Sequence, residues 1–429
     1  MKKILLTYFS VLLFFSTSSA TDCSNGRYFN PIFPKVKRTN NIKYGAKRQS
    51  DGAMFDLKYD VYEPLGDTVS ERPVMLLIHG GAYLKLLDQN SPDIVLMSTY
   101  FAQRGYVAVS IDYRQEPNLL GLLSEEIMVK AVARALIDTK DAVDHIVNTY
   151  SNGNPYRIDT SKAFIGGVSA GAVSTLFIMY LDSLQQLPVK YQTWVKETIG
   201  PAADSILRTK FDHVKPKAGI SVSGALLDTS WIVNNGMDLL LNHGSADDIV
   251  PYLYGHPFNI QTLPVLYGGK SLYPRAVNQG IHVEFEDWAG RGHVPFMNLT
   301  FPDMIFNLIN QPILDSTERH IRDFCYRLLD CNSKTTGIRQ NLMQEHLAVF
   351  PNPSNGNFNI ELPKNIMTTK WELRMYDLMG KEVLSKEYAG NAGYISLNEN
   401  LPMGNYFITM QYRKDAENFV YTGKLVITQ

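Results

Sequence analysis

The chain has 429 residues, 45% hydrophobic and 19% charged, which excludes intrinsic disorder and exceeds one ordinary domain. Its 41 basic and 42 acidic residues leave a net charge of −1, so there is no overall basic footprint for nucleic acid.

At the N-terminus, Lys2 and Lys3 precede an apolar run from Ile4 to Phe15, and Ser16-Thr17-Ser18-Ser19-Ala20 supplies small residues. That order predicts a secretory signal peptide over 1–20, cleaved after Ala20. No stretch reaches the ~20 apolar residues of a membrane-spanning helix, and no transmembrane helix is expected. Three cysteines suit an exported chain with at most one disulfide. Cys325 and Cys331 lie ~9 Å apart along the axis of a helix, so a bond between them requires the helix to end first. Cys23 can pair with either. Asp22, rather than a small residue, precedes Cys23, which argues against a lipid anchor. No metal-site spacing is present, and no cofactor is expected.

From about residue 44 to 312, solid apolar runs alternate with helical spacing. Strands are expected over Val74–Ile78, Tyr106–Ile111, Ala163–Val168, Ala218–Val222, Asp238–Leu241 and Ile281–Phe285. Helices are expected over Ile127–Thr149, Ala172–Tyr180 and Met304–Asn310. This alternation implies βαβ units and a mostly parallel sheet flanked by helices. Residues 181–217 fit the rhythm less well, and read either as an insertion over the sheet's carboxyl edge or as a plain helical connection. Residues 313–331 read as a helix carrying the last two cysteines, and 332–347 as a polar linker. From residue 348 the pattern changes to short alternating strands, with Trp371, Leu373 and Met375 on one face of their strand and Tyr406, Ile408 and Met410 likewise on one face of theirs. That segment is expected to be a small all-β sandwich.

The chemistry centres on Gly167-Val168-Ser169-Ala170-Gly171, straight after an expected strand and before an expected helix. A nucleophilic serine on such a turn needs small neighbours, because the turn is tight and strained. The strand Val74–Ile78 ends in His79-Gly80-Gly81-Ala82-Tyr83. Its glycines let backbone N–H groups face a substrate oxygen, so Gly81, Ala82 and Ala170 are the expected oxyanion hole. The base is expected at His293, in the loop Gly290-Arg291-Gly292-His293 after a late strand. His282 is expected to face the helix layer, His320 to lie on a helix surface, and His346 to lie by the linker. The acid is Asp247 in preference to its neighbour Asp248, with His243 bracing their loop. Ser169, His293 and Asp247 then form a nucleophile–base–acid triad.

These motifs, with Ile111-Asp112-Tyr113-Arg114 and G-V-S-A-G-A, resemble the α/β-hydrolase superfamily over roughly 40–312. Within it they resemble the hormone-sensitive-lipase-like branch and its feruloyl/acetyl-esterase-like members. The resemblance implies cofactor-free hydrolysis of carboxylic esters and supports the six site positions above. Two departures are Ala82 in place of a third glycine and the apolar Leu84-Lys85-Leu86-Leu87 that follows.

Residues 348–429 carry Val349-Phe350-Pro351-Asn352-Pro353, Met375-Tyr376-Asp377-Leu378-Met379-Gly380-Lys381, Leu401-Pro402-Met403-Gly404-Asn405-Tyr406 and Lys424-Leu425-Val426-Ile427. In that order they resemble a type IX secretion C-terminal sorting domain. The resemblance implies type IX machinery as a partner, and release or surface attachment outside a Gram-negative cell after Sec-type export to the periplasm. A sugar-binding sandwich is the alternative, with Trp371 and the tyrosines stacking on sugars.

The sequence therefore reads as a secreted serine esterase acting on short acyl, acetyl or feruloyl esters, on a small molecule or a polymer. A polyester depolymerase or a serine peptidase would use the same triad. A non-catalytic adhesion protein is a third reading, against which the intact triad argues.

Overall fold

The computed structural model describes residues 23–209, 213–299, 309–329, 331, 347–361, 370–377, 381–388, 394–414 and 417–428. The expected signal peptide, most of the linker and His346 lie outside these residues. The chain divides into two units, Met1–Cys331 and Asn332–Gln429.

The first unit opens with β1 (Val36–Arg48), β2 (Met54–Pro64), β3 (Arg72–Ile78), α1 (Pro92–Ala102) and β4 (Val107–Ile111). There follow α2 (Glu125–Ser151), β5 (Ile158–Val168), α3 (Ala170–Tyr180), α4 (Val189–Ile199) and α5 (Ala203–Arg208). The remainder is β6 (Ala218–Val222), β7 (Ala225–Leu226), β8 (Asp238–Gly244), β9 (Tyr254–Gly255), β10 (Leu266–Gly268), α6 (Gly269–Asn278), β11 (Val283–Trp288) and α7 (Gln311–Arg327). Eight strands form one sheet in the order β1-β2-β4-β3-β5-β6-β8-β11. From β4 to β11 the neighbours pair in parallel, while β2 pairs antiparallel with both β1 and β4. Beside it, β7, β10 and β9 form a small antiparallel sheet.

Both faces of β3 are covered, and that is why it reads as an unbroken apolar run. Val74, Leu76 and Ile78 join one core with residues of α2, α3 and α6. Met75 and Leu77 join a second core with residues of α1 and α7. Helix α3 is buried at every position, which accounts for its lack of a polar stripe. The β1–β2 hairpin is not among the expected strands, because edge strand β1 carries charged and half-exposed residues in place of an apolar run. Strand β11 starts two residues later than expected, after the turn at Gly280 with φ +68°.

Of the helix expected over Met304–Asn310, only Ile309 and Asn310 are described, and they are not helical. Asn310 instead caps α7, its side chain accepting the Ile313 N–H at 3.3 Å. Helix α7 ends at Arg327, so Cys331 leaves the helical direction and bonds Cys23. Cys325 stays a buried thiol. The disulfide closes a separation of 308 residues and ties the N-terminal segment to the end of α7.

The second unit is antiparallel throughout its paired strands. Strands β12 (Val349–Phe350), β13 (Asn357–Glu361) and β16 (Tyr394–Asn398) make one sheet. Strands β14 (Trp371–Tyr376), β15 (Glu382–Tyr388), β17 (Gly404–Lys414) and β18 (Glu417–Ile427) make the other. Trp371, Leu373, Met375, Tyr406, Ile408 and Met410 all enter its core. Trp371 is buried and stacks on Tyr388 at 4.4 Å. It is a core residue, not a sugar platform.

Candidate active site

Four strands of the parallel run deliver the candidate residues, each from its carboxyl end. β5 runs straight into Ser169, β3 into His79–Ala82, β8 into Asp247 and β11 into His293. Parallel strands bring all four ends to one edge of the sheet, so residues far apart in sequence meet.

Ser169 has φ 56° and ψ −121°, a left-handed conformation that a side-chain-bearing residue adopts only under strain. Its N–H is held by Val222 O at 2.8 Å, and its carbonyl accepts the Val173 N–H at 2.9 Å to start α3. The glycines of the pentapeptide are required by contact. A Cβ on Gly171 would lie 2.1 Å from Ile78 O, and one on Gly167 would lie 2.4 Å from Gly171 C. The chain thus crosses β3 so closely that no side chain fits at position 167 or 171.

Ser169 Oγ lies 2.7 Å from His293 Nε2, and His293 Nδ1 lies 2.8 Å from Asp247 Oδ2. All three residues are buried or nearly so. Asp247 Oδ1 accepts the N–H groups of Ile249 at 3.0 Å and Val250 at 2.8 Å. Burial raises the Asp247 pKa, but the two histidines outweigh it by charge and hydrogen bonding, holding the carboxyl below its ordinary value. Asp247, not Asp248, makes the contact with His293.

His243 is a part of this centre that sequence reasoning only half identified. It was expected to brace the loop, and its Nε2 does lie 3.2 Å from Val250 O. The same nitrogen is 3.1 Å from Asp247 Oδ2. Because the Gly269 N–H donates to Nδ1 at 3.3 Å, the proton belongs on Nε2, directed at the carboxylate. The i,i+4 spacing of His243 and Asp247 was visible in the sequence, but the turn that folds one onto the other was not.

The expected donor turn sits beside the serine. Gly81 has φ +106° and Ala82 φ +55°, and both line a cavity with Ser169 and His293. Among the described residues no acceptor takes the N–H of Gly81, Ala82 or Ala170. Tyr113 donates to both His79 O and Gly80 O at 3.1 Å, and its ring stacks on His79 at 4.3 Å. Tyr83 reaches across to Ala170 O at 2.8 Å, pinning the turn to α3. Arg114 is clamped by Asp138 of α2 through two hydrogen bonds of 2.8 and 2.9 Å. The Asp112-Tyr113-Arg114 motif therefore supports the turn from behind.

His282 and His320 stand apart from the site. His282 stacks on Phe324 of α7 and pairs with Asp238 at 2.8 Å, facing the helix layer as expected. His320 is on α7, yet not simply a surface residue: it lies between Glu284 at 2.7 Å and Glu286 at 3.3 Å. Burial lowers its pKa, but these carboxylates prevail and hold the imidazole up to about 9.

The mostly parallel sheet with helices on both faces defines an α/β-hydrolase fold, followed by an all-β unit. More particularly, residues 59–203 match the BD-FAE family profile. Residues 348–428 match that of the secretion system C-terminal sorting domain. No curated protein matches the chain. Among solved structures, a truncated carbohydrate esterase from gut microbiota is 17% identical, with a TM-score of 0.42 over 68% of this chain and 96% of that one. Thermogutta terrifontis esterase 2 phosphorylated by paraoxon is 18% identical, with a TM-score of 0.44 over 68% and 95%. The propionate-bound Est2 of the same species is 17% identical, with a TM-score of 0.41 over 68% and 95%. Among the described residues, no helix is long and apolar enough to cross a membrane.

Proposed function

We propose that the first unit is a serine carboxylic ester hydrolase working through an acyl-enzyme. The observation that carries this reading is the hydrogen-bonded series Asp247–His293–Ser169 on a strained strand-to-helix turn. Ser169 Oγ attacks the ester carbonyl carbon while His293 Nε2 takes its proton. The tetrahedral oxyanion is met by the N–H groups of Gly81, Ala82 and Ala170, each worth roughly 2.7–4 kcal/mol of transition-state stabilisation. His293 returns the proton to the leaving alcohol, and Asp247 holds the imidazole tautomer and balances its charge. Water, activated by His293, then attacks the acyl carbon and frees Ser169. Nothing in this sequence of steps calls on a cofactor.

The sorting domain supports a destination outside the cell, reached through type IX machinery that reads residues 348–429. The enzymatic reading is tested on the full chain with p-nitrophenyl butanoate. Turnover that disappears in Ser169→Ala and in His293→Ala is expected; full activity in Ser169→Ala would sink the nucleophile assignment. Faster cleavage of aminoacyl anilides than of matched esters would turn the reading toward a peptidase. Fusing residues 348–429 to a passenger in a type IX host tests the destination, and a passenger left in the periplasm would refute it.

A further inference from the structure

Two cavities meet at Ser169, and only one of them contains His293. The larger runs beneath α2, α4 and α5. The smaller is lined by Ser169, His293, Leu86, Leu87, Met297 and Asp93, among others. In ester hydrolysis the leaving alcohol must lie within reach of the histidine that protonates it. The side of the serine without the histidine is left for the acyl group.

The larger cavity follows α3 along one stripe, Ala170, Val173, Phe177 and Leu181. At 1.5 Å per residue that stripe is roughly 16 Å long. An extended chain advances about 3.6 Å per three bonds, so some 13 bonds fit its length. Its few polar side chains already have partners. The Tyr83 hydroxyl is taken by Ala170 O and Ser174, that of Tyr191 by Glu125, and the Lys140 ammonium by Asp144. Such a wall gives a sugar or a ring hydroxyl nothing to bond, and would leave it desolvated without compensation. It favours methylene groups, each worth ~0.8 kcal/mol on burial, about fourfold in affinity. Leu122, on its wall, is flanked by Leu119, Leu120 and Leu123, which are 55, 71 and 59% exposed. A lipid-like substrate would meet this rim first.

We infer that the larger cavity is an acyl-binding channel for an unbranched aliphatic chain of about ten to twelve carbons, and that the alcohol occupies the smaller cavity. The inference rests on the serine esterase reading and replaces acetyl and feruloyl groups with a fatty acyl group as the substrate class. The reaction that supplies this substrate transfers a medium-chain acyl group from an acyl donor to an alcohol oxygen, and hydrolysis of the resulting ester adds water and gives the fatty acid and the free alcohol.

The test uses two isomeric esters of matched lipophilicity, methyl dodecanoate and decyl propanoate, on the full chain. We expect kcat/KM at least tenfold higher for methyl dodecanoate, and a p-nitrophenyl series that rises from two carbons to about ten to twelve. In Val195→Trp, which fills the channel wall on α4, the dodecanoate-to-butanoate ratio should fall at least tenfold. If that variant does not fold, the wild-type enzyme still decides: dodecylphosphonate p-nitrophenyl esters should inactivate it at least tenfold faster than methylphosphonates, with the adduct on Ser169. Preference for decyl propanoate, an optimum at two to four carbons, or equal inactivation by both phosphonates would each overturn the channel while leaving the esterase reading intact. Absence of any Ser169-dependent ester cleavage would instead remove the reading beneath it.

Discussion

His243 directs its Nε2 at Asp247 Oδ2 from 3.1 Å, onto the same oxygen that His293 Nδ1 reaches at 2.8 Å. One carboxylate oxygen is therefore shared between a histidine that faces the serine and one that does not. With two backbone N–H groups on the other oxygen, Asp247 has no freedom to rotate away. On the proposed mechanism, His243 is a positioning residue for Asp247.

Loss of His243 should thus act through kcat. We expect His243→Ala to lower kcat about tenfold with little change in KM, because it orients a group and touches no substrate. Asp247→Asn should cost about four orders of magnitude, since the amide imposes the wrong imidazole tautomer. Steady-state kinetics on one soluble ester separate the two effects. A His243→Ala enzyme altered only in KM would contradict the positioning role.

Gly171→Ala should abolish activity and lower stability by roughly 3 kcal/mol or more. The new methyl would lie 2.1 Å from Ile78 O, which cannot move without opening β3 from the elbow. Thermal unfolding followed by circular dichroism measures the loss; a variant with wild-type Tm and activity would show the contact to be looser than described.

The Cys23–Cys331 bond closes nearly the whole first unit. Its removal in a Cys23→Ser/Cys331→Ser double variant should cost on the order of 2–5 kcal/mol, mostly by freeing the unfolded chain. Guanidinium unfolding with and without reductant checks this, and reductant should leave the double variant unchanged.

Glu318 on α7 supplies a pH test. Burial, reinforced by Asp315, pushes its carboxyl up to about 8 despite Arg104. Between about 4.5 and 8 the unfolded chain releases a proton that the folded chain keeps, so this group makes stability fall as pH rises through that window. Glu318→Gln should match the wild type at pH 4 and exceed it above pH 8, by at most about 5 kcal/mol. Urea titrations at both pH values measure the difference; a variant gaining equally at pH 4 would refute the cause.

The strand-to-helix turn around Ser169 was legible because its demands are local. Gly167 and Gly171 are needed where the chain presses on β3, and only small residues satisfy that. The strand cores of β3, β4 and β6 were legible for a related reason, since burial on both faces leaves them apolar but for a buried serine in β4 and in β6. Edge strands β1 and β11 were missed or shifted because one side of each is half-exposed and their patterns are mixed. Between Asp247 and Asp248 the choice rested on loop position. The folded turn settles which side chain meets His293, through the N–H groups of Ile249 and Val250.

Chain order and residue chemistry alone carried the fold class, the serine elbow, the histidine loop and the terminal sorting domain. They could do so because strand burial, tight turns and motif spacing are properties of neighbouring residues. The partner of Cys23, the second histidine on Asp247 and the length and apolarity of the cavity beside Ser169 came only from tertiary structure. The disulfide joins residues 308 apart, the His243–Asp247 contact depends on how the turn between them folds, and the space left between packed helices is written in no single segment.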